Sequence, residues 1–127
     1  MKNFYFLLLL FLASCGGAAS ENKSNDTILP VEEYAKAIKT DTTAFIIDVR
    51  TPEEYAEGHI DGAVLMNVMD EQTFLAGIDT LDANHTYYIY CRSGRRSRKA
   101  AGQMIAKGLT VVDLQGGYNA WKKAEKK

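Results

Sequence analysis

Cys91 is followed by Arg92-Ser93-Gly94-Arg95-Arg96-Ser97, which sets three arginines and a glycine within six residues of a thiol. Gly94 lets the backbone curl back, so that consecutive amide N–H groups can face one centre. A helix opening at that point adds its positive end, and the arginines add full charges. Such surroundings lower a thiol pKa below the free value of about 8.5 and favour a thiolate at neutral pH. The same donors can hold an incoming anion and the charge that develops on it. The chemistry that fits is attack of the Cys91 sulfur on an electrophilic, anionic substrate. A thiolate needs no general base for this. Position alone would fit a small buried hydrophobe at a strand end; the Gly- and Arg-rich segment behind it makes the difference.

The surrounding pattern supplies elements to position this loop. Ile28-Leu29 is a short apolar start, and Pro30 stands at the entrance of a helix with Val31, Tyr34, Ala35 and Ile38 on one side. The apolar run 44–49 reads as a strand covered on both faces. Thr51-Pro52-Glu53-Glu54 spells a helix start, with Thr as N-cap, Pro first and Glu54 reaching back; Gly58 stops it. A short strand is expected at 63–66, a helix at 70–78 and a strong strand at 86–90. A basic amphipathic helix at 95–107, a strand at 111–114, a turn at Gly116-Gly117 and a last helix at 118–126 complete the chain. Strands separated by helices imply an α/β fold whose parallel sheet is flanked by helices on both faces. In such sheets ligands gather at the carboxyl ends of the strands, where Cys91 lies.

The chain has 127 residues and a formal net charge of -1, enough for one domain and not for two. That balance gives no reason to expect nucleic acid or an anionic membrane as partner. The charge is unevenly spread. Residues 51–90 hold eight acids and no Lys or Arg, whereas residues 92–107 hold six bases and no acid. The acidic run is read as a solvated face, and Arg98 and Lys99 as ordinary helix surface.

The first residues do not read as part of the domain. A basic start and the apolar run Phe4–Ala13 have the form of a signal peptide, about half the length needed to span a bilayer. The run ends in Leu12-Ala13-Ser14-Cys15, which resembles the lipobox of bacterial lipoproteins. On this reading residues 1–14 are a signal peptide and 15–26 a flexible tether of small polar residues, with the domain at 27–127. Cys15 would be lipidated, and lipid would be the only link to the membrane. The expected location is the bacterial cell envelope, facing the periplasm or cell surface. Cys91 would then be the only free thiol, without an internal disulfide partner.

The domain resembles the rhodanese-like family over about residues 27–126. The likeness is carried by Ile46-Ile47-Asp48-Val49-Arg50, by residues 54–63 (EYAEGHIDGA), by Tyr90-Cys91-Arg92-Ser93-Gly94-Arg95-Arg96-Ser97, and by residues 113–121 (DLQGGYNAW). The resemblance implies a sheet of about five parallel strands and sulfurtransferase activity. In that family the cysteine takes the outer sulfur of thiosulfate or a similar donor as a persulfide and passes it to cyanide or a thiol. Carried over, Cys91 is the sulfur carrier, the amides of Arg92, Ser93, Gly94, Arg95, Arg96 and Ser97 hold the sulfur, and the Arg92, Arg95 and Arg96 side chains attract the donor. Asp48 and Arg50 support neighbouring loops.

Two alternatives accompany this reading. Related phosphatases place an arginine six positions after the cysteine; here that position is Ser97, and the shorter loop suits sulfur over phosphate or arsenate. A rhodanese-like module can also be a non-catalytic binding domain, although such modules usually lack the cysteine. His59 lies in a turn and is assigned a structural hydrogen bond, His85 is read as an exposed turn residue, and Trp121 and the strand tyrosines as core. Two histidines and one thiol give no metal set. No cofactor is expected. The expected partners are a small anionic sulfur donor and an external thiol or cyanide, acting on a monomer.

Overall fold

The computed structural model describes residues 24–127. The expected signal peptide, Cys15 and most of the expected tether lie outside them. The chain runs β1 (Asp26–Leu29), α1 (Val31–Thr40), β2 (Ala44–Asp48), α2 (Pro52–Glu57), β3 (Val64–Leu65), α3 (Glu71–Ile78), β4 (Thr86–Tyr90), α4 (Arg95–Ala106), β5 (Thr110–Leu114) and α5 (Gly117–Glu125). The expected elements form within a residue or two of their anticipated limits. β1 begins at Asp26, so that residue is the first of a strand and not the last of a tether.

The five strands lie in the order β1-β5-β4-β2-β3, and every neighbouring pair is parallel. β4 is central, which is why its sequence is apolar on both faces. Its side chains alternate with the two-residue period of a strand. Tyr87 and Ile89 join Phe74 and Ile78 of α3 and Ala100, Ala101 and Met104 of α4 in one buried layer. Tyr88 and Tyr90 join Tyr34 of α1 in the other, against which Tyr118 and Trp121 of α5 pack. Helices therefore cover both faces, as the alternation of elements requires.

Buried tyrosines need partners for their hydroxyls. Tyr87 donates to the Asp82 carbonyl at 2.7 Å, Tyr88 to Asp41 Oδ2 at 2.8 Å and Tyr34 to the Ile89 carbonyl at 3.2 Å. Tyr90 Oη accepts from the Ile60 amide at 3.0 Å, which ties the loop after α2 to the central strand. α2 is short and stands on its cap. The Thr51 hydroxyl accepts from the Glu54 amide, and the Glu54 carboxylate accepts from the Thr51 amide, the reciprocal box foreseen in the sequence.

Candidate active site

Cys91 directly follows β4 at its carboxyl end, and only Arg92, Ser93 and Gly94 separate it from α4. Gly94 has φ 109°, a left-handed value that a side chain would strain. This turns the chain so that the Gly94 amide donates to Cys91 Sγ at 3.0 Å. An N–H bond of this kind is stronger to a thiolate than to a thiol. The sulfur itself is buried, with the residue 1% exposed.

Two helix N-termini meet at this loop. α4 starts immediately after Gly94, which brings no side chain to cap it, and its first turn holds no acid. α5 also has no acid in its first turn, whereas α1, α2 and α3 all do. Neither the α4 nor the α5 positive end is offset by an acid of its own, and that of α4 opens at the sulfur in the arrangement that favours an anion. α5 also fixes the loop: the Tyr118 amide donates to the Cys91 carbonyl at 2.8 Å and the Asn119 amide to the Arg92 carbonyl at 3.0 Å. The close approach depends on Gly117. A Cβ there would stand 2.6 Å from the Cys91 oxygen and from the Arg92 carbonyl carbon, and φ is 62°.

The three loop arginines do different things. Arg92 and Arg95 are exposed and form no ion pair among the described residues. Arg96 departs from the expectation of a free donor-attracting cation. It makes a two-pronged pair with Glu54, Nη1 to Oε1 at 2.6 Å and Nη2 to Oε2 at 2.9 Å. That bond holds the Glu54 carboxyl down at about 2. Glu54, read from sequence as part of a solvated acidic face, is therefore a strut between α2 and the cysteine loop. Its capping role was visible locally; its partner lies 42 residues away and was not.

Behind the loop lies a second set, in which Ser97 was expected for its amide and its partners were not. Ser97 is fully buried, 3.4 Å from Cys91 Sγ through its Oγ, and its hydroxyl also reaches the Gly94 carbonyl at 3.2 Å and Asp113 Oδ2 at 3.0 Å. Arg98, taken as helix surface, donates through Nε to Asp113 Oδ2 at 2.8 Å and clasps Asp26 with both Nη groups. Burial pushes the Asp113 carboxyl above its usual range, against the bonds from Arg98 and Ser97. An aspartate within the apolar strand 110–114 was the available signal.

Asp48 and Arg50 form a buried ion pair at the end of β2. Both are buried, and Arg50 meets the carboxylate through Nε and Nη2 at 2.7–3.1 Å. Arg50 Nη2 also donates to the Gly58 carbonyl at 2.6 Å, and its guanidinium lies 4.3 Å from the centre of the Tyr118 ring. Burial alone would lower the Arg50 pKa, but the bond and charge of Asp48 outweigh it and raise it further. His59 stacks on Tyr55 at 3.7 Å, its Nδ1 2.8 Å from the Tyr55 carbonyl, so it shapes the turn after α2. His85 is half-buried, with Nδ1 3.0 Å from the Thr43 carbonyl. A cavity of about 180 Å³ lined by Arg50, Glu54, Gly58, Arg92, Tyr118 and Lys122 borders the loop.

Residues 30–124 match the model of the rhodanese-like domain. The chain belongs to the rhodanese-like family. It is 31% identical over 91 residues to the thiosulfate sulfurtransferase GlpE of Stutzerimonas stutzeri, covering 71% of this chain and 80% of that protein. It is 33% identical over 116 residues to the Bacillus subtilis protein YrkF, provisionally named a sulfur carrier protein; this covers 91% of the chain but only 61% of YrkF. Among solved structures, a rhodanese-like domain protein from Staphylococcus aureus superposes with a TM-score of 0.67 at 32% identity, over 75% of this chain and 90% of that one. The rhodanese-like match includes all four segments that carried the resemblance in the sequence.

Proposed function

We propose that this rhodanese-like domain is a sulfurtransferase that carries sulfane sulfur on Cys91. The observation that supports this most is the cradle itself: a buried sulfur holding an N–H bond from Gly94 at 3.0 Å, at the acid-free N-terminus of α4, in a loop whose backbone is held by the first amides of α5. A packing cysteine requires none of this. A binding module that had given up catalysis would have no use for it either.

The donor is proposed to be thiosulfate or a comparable small anion. The exposed, unpaired Arg92 and Arg95 draw a dianion towards the loop. The Cys91 thiolate attacks the outer sulfur, the S–S bond of thiosulfate breaks, and sulfite leaves with the bonding electron pair. The outer sulfur remains as the persulfide, its charge held by loop amides. Cyanide or a thiolate then attacks the outer sulfur, and Cys91 departs as a thiolate. Cys91 is the only cysteine among the described residues, so the acceptor comes from outside the domain. The cavity beside Arg92, which carries Lys122 as a second exposed cation, is of a size to admit such a molecule.

This reading includes the envelope location. Cys15 within its lipobox would tether the domain to a membrane through residues 15–25, and the chemistry would proceed outside the cytoplasm. Metabolic labelling with a fatty-acid analogue is expected to mark wild type and not Cys15→Ser; equal labelling would remove the anchor from the account. For the activity, thiosulfate and cyanide are expected to yield thiocyanate with wild type and none above background with Cys91→Ser. Equal turnover by the two proteins would refute the role of Cys91.

A further inference from the structure

Asp113 is 2% exposed, yet its Oδ1 is buried without a hydrogen-bond partner, while Oδ2 accepts from both Ser97 and Arg98. A buried carboxylate left half-satisfied is costly. The strand neighbours of Asp113 in the sheet are Ile28 of β1 and Ile89 of β4. What the carboxylate does touch is Ser97, and what Ser97 touches is the Cys91 sulfur. The Ser97 hydroxyl has one proton and three acceptors within reach: Gly94 O at 3.2 Å, Asp113 Oδ2 at 3.0 Å and Cys91 Sγ at 3.4 Å. A rotating hydroxyl between a thiol and a carboxylate is the geometry of a proton relay.

We propose that Ser97 and Asp113 form a buried relay that takes the proton from the Cys91 thiol to make the attacking thiolate and returns it once the sulfur has been passed on. In the thiol form Cys91 S–H donates to Ser97 Oγ, and the Ser97 hydroxyl donates to Asp113 Oδ2. The thiol proton passes to Ser97 Oγ as the Ser97 proton passes to Asp113 Oδ2. The products are a Cys91 thiolate accepting from Ser97 and a neutral Asp113, with one negative charge before and after. When an acceptor thiolate takes the outer sulfur, that sulfur leaves as the anionic persulfide of the acceptor, Cys91 departs as a thiolate, and the same two protons shift back. No further reactant is needed.

Burial raises the Asp113 carboxyl, the direction that eases its taking up a proton, against the bonds from Arg98 and Ser97. The charged groups around the pair are few. Arg98 of α4 faces Asp113, with Asp26 of β1 beyond it, and Arg96 of α4 is the cation whose charge is felt at Cys91. Ser97 contacts the reacting sulfur; Asp113 acts through Ser97 and is a positioning residue. The relay deepens the sulfurtransferase reading and shares its site, but its test can be made without sulfur transfer.

Two groups sharing a proton titrate as a pair, so thiolate should appear in two steps. The experiment is the pH dependence of iodoacetamide alkylation of Cys91 in the full chain, followed by peptide mass so that Cys15 is scored separately. Wild type is expected to show two steps in rate, and Asp113→Asn a single step, because an amide cannot take the proton. Ser97→Ala, which cuts the connection, is expected to give one step and to slow sulfur transfer at neutral pH by about tenfold or more. A single step in wild type overturns the relay whatever the variants do, including the case in which they fail to fold. Identical two-step profiles in wild type and Asp113→Asn overturn it as well. Two steps in a wild type that moves no sulfur would leave the relay standing and remove the sulfurtransferase reading.

Discussion

Two buried aspartates lie towards the carboxyl ends of the sheet, Asp48 at the end of β2 and Asp113 in β5, and they are treated in opposite ways. Asp48 is fully enclosed and its carboxylate is saturated by Arg50, which is itself buried and anchored to Gly58 and to the Tyr118 ring. Asp113 has one oxygen without a partner and depends on a guanidinium that is 36% exposed. Asp48 is a clamp whose charge is spent on holding α2 and its following loop. Asp113 keeps unused bonding capacity one hydroxyl away from the sulfur. A buried acid that stabilises a fold and one that serves a reaction can be told apart by how completely they are satisfied.

The comparison makes its largest prediction in stability. Asp48→Ala strands the Arg50 charge in the interior and is expected to cost about 3–5 kcal/mol, a loss of more than about 10 °C in Tm for a domain of this size. Asp113→Asn is expected to change stability at pH 7 by less than about 1 kcal/mol, because the cost of removing the Arg98 bond is offset by removal of a buried charge. Urea unfolding of the two variants checks this. Similar losses would make both residues clamps and erase the distinction.

A smaller effect is expected in the pH dependence of stability. The Asp113 carboxyl is raised on folding, so its contribution is complete below its unfolded value of about 3.9 and is lost as pH rises through the folded value. Wild type should therefore lose stability on that rise relative to Asp113→Asn. Glu54 works in the other direction. Its carboxyl is held at about 2, so its contribution is present above the unfolded value of about 4.3 and fades as pH falls towards about 2. Glu54→Gln is expected to flatten the acid side of the profile and leave the other side unchanged. Melting curves across pH 2–8, a range of about 6 pH units spanning both unfolded values, would separate the two; a flat wild-type profile would contradict both assignments.

The smallest effect should be the direct coupling of Glu54 and Arg96, whose side chains are 21% and 25% exposed. A double-mutant cycle is expected to give about 1–2 kcal/mol, less than the full drop of the Glu54 carboxyl because Thr51 shares in it, and declining with added salt. A larger, salt-insensitive value would place this pair with Asp48 and Arg50 as a structural clamp.

Much of this was legible in the sequence because it is local. The capping box at Thr51 and Glu54, the two-faced strand at 86–90, the arginine-rich loop and the turn at Gly94 all declare themselves within six residues or so. What escaped is long-range. Glu54 meets Arg96 across 42 positions, Ser97 meets Asp113 across 16, and Arg98 meets Asp26 across 72. These contacts exist only once the crossovers have set β1, β5 and β4 side by side. Charge alternation along a segment cannot say which acid will face which base. Gly117 escaped for a related reason: its need is steric, imposed by the Cys91 carbonyl of a distant loop. Asp113 was the exception, an acid in an apolar strand that could have been marked from sequence.

The central claim is that Cys91 carries sulfur, and intact-mass analysis of the full chain after incubation with thiosulfate tests it most directly. The account predicts a gain of one sulfur atom, mapped to Cys91, removed by cyanide and absent in Cys91→Ser. An unchanged wild-type mass, or an adduct that persists in Cys91→Ser, would contradict it.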